Sequence, residues 1–197
     1  GTYTIYFRIS ADGKTTAESS KTITILPKDV KANVVNISAL TYGDILPQYG
    51  LGNVSVQNII SGDTLKGVTF VVSDASGKTY NAGEVLPAGQ YTVTLQDFEN
   101  ENYNIIDPAK PSASLTVNTA NVDYQLNEIS ASKVFIGQKL GDSKLSGKFY
   151  GVDGNELTGT FTWDASTSIY IEQAGRYNAI FDPDDANYNS VTIENIA

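Results

Sequence analysis

Apolar and polar residues alternate with a period of two over several short stretches, the pattern of half-buried β-strands. Tyr3, Ile5, Phe7 and Ile9 share one face, and Thr2, Thr4, Tyr6 and Arg8 share the other. Ala11-Asp12-Gly13-Lys14 supplies turn residues, after which Ile23 and Ile25 alternate with threonines in a return strand. The same hairpin pattern comes back twice. Tyr91, Val93 and Leu95 pair in the pattern with Ala113, Leu115 and Val117; Tyr177, Ala179 and Phe181 pair with Val191 and Ile193. Each hairpin opens on one phrase: Gly1-Thr2-Tyr3-Thr4, Ala88-Gly89-Gln90-Tyr91-Thr92 and Ala174-Gly175-Arg176-Tyr177-Asn178. A second phrase follows the last two copies, Asn102-Tyr103-Asn104 and Asn187-Tyr188-Asn189. A long, nearly constant period of this kind predicts tandem modules of one small fold.

The stretches between the hairpins are also β-like. Val34, Ile37 and Leu40 lead into Tyr42-Gly43-Asp44-Ile45-Leu46-Pro47, and Val134-Phe135-Ile136-Gly137-Gln138-Lys139-Leu140 stands at the comparable place further on. Gly67-Val68-Thr69-Phe70-Val71-Val72 is matched by Gly159-Thr160-Phe161-Thr162-Trp163. Asp74-Ala75-Ser76-Gly77 and Asp153-Gly154-Asn155 read as turns, because Gly and Asn tolerate positive φ. Ser61-Gly62-Asp63-Thr64-Leu65 has the residues to cap one helical turn, but no stretch keeps a 3.6-residue apolar period over three turns. The expected fold class is all-β: tandem small β-sandwich (Ig-like) modules in an elongated array, with a β-grasp-like module as the alternative. The expected domains are residues 1–29, the closing hairpin of a truncated upstream repeat; 30–118, a complete β module; and 119–197, a second β module. The links near Pro27-Lys28-Asp29-Val30 and Thr119-Ala120-Asn121 are short, which predicts semi-rigid neighbours. The face of Tyr3, Ile5, Phe7, Ile9, Ile23 and Ile25 needs cover, either from the next module or from another chain.

Composition narrows the chemistry. The 197 residues carry 13 Lys and Arg against 22 Asp and Glu, a net charge of −9, dispersed along the chain. With no basic stripe, neither nucleic acid nor an anionic membrane is an expected partner. There is no Cys, which excludes disulfides, thiolate metal sites and a Cys nucleophile. There is no His, the commonest general base and metal ligand. Met is absent too, and no apolar run approaches the ~18 residues of a membrane span, so a mature fragment of an exported protein is expected.

Oxygen-rich loops are the remaining candidates. Asp182, Asp184, Asp185 and Asn187 are spaced as calcium ligands can be, yet they lack the glycine and distal glutamate of an EF-hand loop and compose an ordinary solvated turn. Asp97, Glu99 and Glu101, interrupted by Phe98, stand in the corresponding earlier loop. No carboxylate pair is singled out for glycosidase chemistry, and no base is available to activate a Ser nucleophile. No catalytic, cofactor-binding or metal site is therefore expected, and the ligand-binding residues are left open. Tyr3, Tyr91 and Tyr177 occupy one inward position and read as core; Trp163, alternating with Phe161, reads as core as well. Tyr49, Tyr80, Tyr150 and Tyr170 are less constrained and are the candidate ligand contacts.

Tyr42-Gly43-Asp44, Ser61-Gly62-Asp63, Ala88-Gly89-Gln90-Tyr91, Asn102-Tyr103-Asn104-Ile105 and Ser114-Leu115-Thr116-Val117, in that order, resemble the tyrosine-glycine type of MBG repeat. That repeat occurs in large bacterial cell-surface and adhesin-like proteins. Gly159-Thr160-Phe161-Thr162-Trp163 followed by Phe181-Asp182-Pro183-Asp184-Asp185-Ala186-Asn187-Tyr188 is similar to another repeat of the same proteins, and residues 1–7 resemble the end of such a repeat. The later module departs from the pattern, with Phe135-Ile136-Gly137 where the earlier has Tyr42-Gly43-Asp44. The resemblance implies an extracellular, surface-exposed stalk of Ig-like or related β modules with no catalytic residues. Its alternatives are that the modules themselves bind host glycan or protein, or that they are a noncatalytic carbohydrate-binding accessory of an exported enzyme.

Overall fold

The computed structural model describes residues 1–197 other than Thr15, Thr64 and residues 107–109. Among the described residues it is all-β: seventeen short strands, three single-turn 3-10 segments and no α-helix. Thr64, in the segment with helix-capping residues, lies outside the described residues; Ser61 and Gly62 beside it form a turn.

The chain divides into two compact units. The first comprises Gly1–Asn36, Gly50–Phe70 and Thr94–Ser112. It opens on the antiparallel hairpin Thr2–Ile9 with Ala17–Thr24, in register from Thr2 opposite Thr24 to Ile9 opposite Ala17. Lys28–Val34 is then the centre of a three-stranded sheet, antiparallel to Val54–Gln57 and parallel to Tyr103–Ile105. Val30, Ala32 and Val34 are buried along it while their neighbours are exposed, as alternation requires. The opening hairpin is different. Tyr3, Ile5, Phe7, Ile9, Ile23 and Ile25 all remain exposed, so of the two covers expected for this face the chain itself supplies none.

The second unit comprises Ile37–Tyr49, Val71–Val93 and Ala113–Ala197. It holds Leu40–Thr41, residues 113–118, 89–93 and 71–73, and Thr79–Tyr80 of a five-stranded sheet whose order is Leu40–Thr41, Ser112–Asn118, Gly89–Asp97, Thr69–Ser73, Thr79–Tyr80. Further along, Gly159–Trp163, Tyr177–Pro183 and Val191–Ile196 form an antiparallel sheet, and two strand pairs join Asp123–Tyr124 to Phe149–Tyr150 and Ser130–Ala131 to Leu145–Ser146. Phe149 stacks on Phe181 with ring centroids 3.7 Å apart, and Phe161 meets Phe149 edge-on at 5.2 Å. Ala120, Val122, Ala179, Tyr188, Ile193 and Ile196 close this core.

The tyrosine position expected to be core throughout has three environments. Tyr91 is 6% exposed, Tyr177 is half-buried and Tyr3 is 56% exposed. The cover explains the difference between the first two. Tyr80 packs edge-on against Tyr91 at 5.3 Å, carried there by the strand Thr79–Tyr80. The stretch from Phe161 to Tyr177 is five residues shorter than that from Phe70 to Tyr91, and it carries no such strand. Trp163, half-buried rather than enclosed, lies edge-on to Tyr177 at 6.2 Å and donates from its indole N–H to the Ser143 carbonyl at 3.2 Å.

Candidate functional site

A polar assembly in the second unit is built on Asn187-Tyr188-Asn189. Asp185 sets it up: its Oδ1 accepts the backbone N–H of Asn187 at 2.9 Å and the side-chain amide of Asn187 at 2.8 Å. With that amide held, Asn187 Oδ1 faces away and accepts the N–H of Ala88 at 2.7 Å. The link residue Ala120 pairs in parallel with Tyr188, donating to the Asn187 carbonyl and accepting from the Asn189 N–H. Thr119 Oγ1 bonds Asn189 Oδ1, and the Asn189 amide donates to Asn121 Oδ1 at 2.9 Å. The buried Tyr188 accepts the Val152 N–H on its hydroxyl at 3.1 Å.

Tyr42 meets the Tyr188 ring edge-on, centroids 5.4 Å apart and planes at 85°. An edge-to-face aromatic pair contributes ~0.5–1.5 kcal/mol beyond its buried area. Burial pushes the Tyr42 hydroxyl pKa up, and Tyr188, Asp185 and Asp153 push it the same way. Gly43 follows at φ +99°, and a Cβ there would sit 2.9 Å from Val152 Cγ2. Both the backbone conformation and the close approach demand glycine. The turn is held from within: the Thr41 N–H donates to Asp44 Oδ2 at 2.8 Å and the Asp44 N–H to the Thr41 carbonyl at 2.9 Å.

In the first unit, Tyr103 is held the same way. Its hydroxyl accepts the Ile60 N–H at 3.0 Å and donates to Asp63 Oδ2 at 2.6 Å, while Lys28 pairs in parallel with it and donates to the Asn102 carbonyl. Burial first, and the bond to Asp63 second, raise the Tyr103 pKa. The Asn-Tyr-Asn phrase is thus an anchor at which an incoming strand is seated. The sequence marks the phrase but not this role; the signal lies in its pairing with the turns Ser61-Gly62-Asp63 and Asp153-Gly154-Asn155.

The candidate ligand tyrosines do not converge. Tyr49 is buried, and burial raises its pKa. Tyr80 donates to Asp74 Oδ2 at 3.0 Å beneath Lys78, whose Nζ is 4.7 Å from the ring centroid. Tyr150 is half-buried and donates to Glu128 Oε2 at 3.3 Å. Tyr170 alone of the four is exposed, with Lys139 Nζ 5.6 Å from its ring centroid.

The acidic loops are engaged locally. Asp182 Oδ1 accepts from Ser190 Oγ at 2.5 Å, Asp185 is committed to Asn187, and the Asp184 N–H donates to the Thr158 carbonyl. Asp97 Oδ1 accepts the Phe98 N–H, the Glu99 N–H donates to the Lys66 carbonyl, and Glu101 is exposed. Among the described residues, no three Asp or Glu side chains are grouped to hold a metal ion, and no helix is long and apolar enough to cross a membrane. An open apolar groove of about 410 Å³ lies elsewhere in the second unit, between Phe135, Leu140, Trp163, Ala174, Tyr177 and Ile196. No protein-family model, curated protein or solved structure matches the chain.

Proposed function

We propose that this chain is a spacer segment of a bacterial cell-surface, adhesin-like protein, secreted and without catalysis, built from tandem repeats of the MBG and related Ig-like β-sandwich type. The observation that carries the reading is the seam around Tyr188. There residues 42–43 and 88 of one proposed repeat engage residues 152 and 187–188 of the next through a ring contact, a glycine approach and a backbone hydrogen bond. A seam that uses the repeated phrases themselves holds neighbours in a fixed relation, which is what a spacer needs.

A ligand site shared by both repeats has less support. The exposed bridge of Ile45 with Val85 corresponds in position to that of Lys139 with Tyr170, so equivalent surfaces carry unlike chemistry. Nitrogen-15 relaxation of the Ala88 and Asn187 amides tests the reading alongside a glycan array. Equal tumbling times and an empty array are expected. Independent tumbling, or saturable binding of one glycan class, would favour the rival in which the repeats are the adhesive part.

A further inference from the structure

Resting on the repeat reading, we infer that the Phe135–Gly137 turn, the Ala174 N–H and the groove beside them form a docking surface for one occupant: a further repeat, joined in line, that presents an Asn-Tyr-Asn loop. The warrant is a match of turn geometry to the surface already occupied by Asn187 and Tyr188, with one extra residue between the facing segment and Ala174. Gly43 and Gly137 both adopt positive φ, +99° and +89°, each three residues before a buried leucine, Leu46 or Leu140. The Thr41 N–H is capped by Asp44 Oδ2 and the Phe135 N–H by Gln138 Oε1 at 2.7 Å. The return bonds also match, from Asp44 to the Thr41 carbonyl and from Gln138 to the Phe135 carbonyl. Leu46 and Leu140 each donate to a facing segment, at Glu84 and Ile169. Ala88 precedes Gly89 as Ala174 precedes Gly175.

The two surfaces differ in what covers them. Tyr42 is packed on Tyr188, Gly43 lies against Val152, and the Ala88 N–H is bound by Asn187. Their counterparts are bare: Ile136, at the place of Tyr42, is 72% exposed with the exposed Phe135 beside it, and the Ala174 N–H has no hydrogen-bond partner among the described residues. Adjacent exposed apolar side chains beside an apolar groove mark an interaction surface. An incoming loop would set its tyrosine ring on Ile136, its turn over Gly137 and its asparagine Oδ1 on the Ala174 N–H.

Trp163 is the chain's single tryptophan and floors the groove, so it reports on occupancy. The experiment extends the full chain after Ala197 with a second copy of residues 119–197. In that copy the counterpart of Trp163 is changed to Phe, leaving Trp163 as the sole fluorophore of its kind. Acrylamide quenching of Trp163 is expected to fall roughly twofold on extension, because the centre of a packed interface excludes solvent. Ile136→Asp should restore the original quenching in the extended chain and leave the unextended chain unchanged. Asn→Ala at the copy's counterpart of Asn187 should act in the same direction. Unchanged quenching with a folded copy, insensitivity to Ile136→Asp, or a copy that does not fold on this surface would each overturn the inference. The glycan array judges the spacer reading separately, so the two failures are distinguishable.

Discussion

Tyr91 and Tyr177 lie in corresponding strands, and their inward neighbours Val93 and Ala179 are both buried. The strands that carry them are alike; the segments that cover them are not. Tyr91 donates its hydroxyl to the Pro87 carbonyl at 2.7 Å and meets the Tyr80 ring in a T-shaped contact. Tyr177 has Trp163 as its aromatic partner and lines an open groove. Tyr3 extends the series: its strand keeps full hairpin register with Ala17–Thr24, yet no layer covers it. A strand's alternation decides which face is apolar. The loss of water from that face is decided by whatever chain returns to cover it.

Truncating the three tyrosines tests this ordering. Tyr91→Ala should cost ~3–5 kcal/mol in a denaturant titration, the range for large aromatic truncations in a packed core. A loss below ~1 kcal/mol would show that the Tyr80 cover contributes nothing. Tyr177→Ala should cost about 1–2 kcal/mol, because a half-exposed ring loses less on removal. Equal losses at the two positions would break the comparison. Asp74 anchors the arm that carries Tyr80. Its carboxylate accepts from Ser76 Oγ and N–H and from the Lys78 N–H, as well as from Tyr80. The Ser76 hydroxyl bond is the main cause holding its pKa below the ordinary carboxylate value, with Tyr80 and the backbone N–H groups adding to it. A depressed carboxylate stabilises the fold above its unfolded pKa and loses that contribution as pH falls through the folded one. Asp74→Asn should therefore lower the melting temperature at neutral pH, by a difference that shrinks as pH drops below the ordinary carboxylate range. A difference that grew on acidification would contradict the bonding. Tyr3→Ala should change stability by less than ~0.5 kcal/mol, as exposed positions do. A larger loss would mean that the hairpin face is covered in solution.

The buried strand residues were legible because their spacing is regular. Val93, Leu95, Leu115, Val117, Phe181 and Ile193 lie on period-two alternation and are buried. Leu46, Leu86 and Leu140 are equally buried, but the first two sit in loops and the third opens a 3-10 turn, where no period marks them. The half-open state of Tyr177 was not legible from its own strand, because the missing arm lies upstream and its absence registers only as a shorter interval. The candidate site was legible as a phrase and not as a function. The spacing of Asp182, Asp184, Asp185 and Asn187 is compatible with a ligand loop but reads as an ordinary turn, and it says nothing of a distant partner. The structure turns Asn187 Oδ1 to Ala88, a partner 99 residues away that local spacing cannot reveal. Likewise Asp182 and Asp185 spend acceptor capacity on Ser190 and Asn187, so an acidic turn that resembles a ligand loop is largely self-bonded.

The distance along the chain between the two sides of the Tyr188 seam sets a clock. Ala88 and Asn187 are 99 residues apart, and Tyr42 lies farther still from Tyr188. Ribosomes add ~5–20 residues per second, so about 5–20 s pass between synthesis of the earlier half of that contact and arrival of the later half. Through that interval Tyr42 and the neighbouring backbone N–H of Ala88 are presented without their partners. Contacts of such long sequence separation also slow folding, since loop closure must precede any gain from the contact. The nascent chain therefore passes through a timed window in which an aromatic edge and an unpaired backbone donor are open to chaperones or to a neighbouring chain on the same polysome.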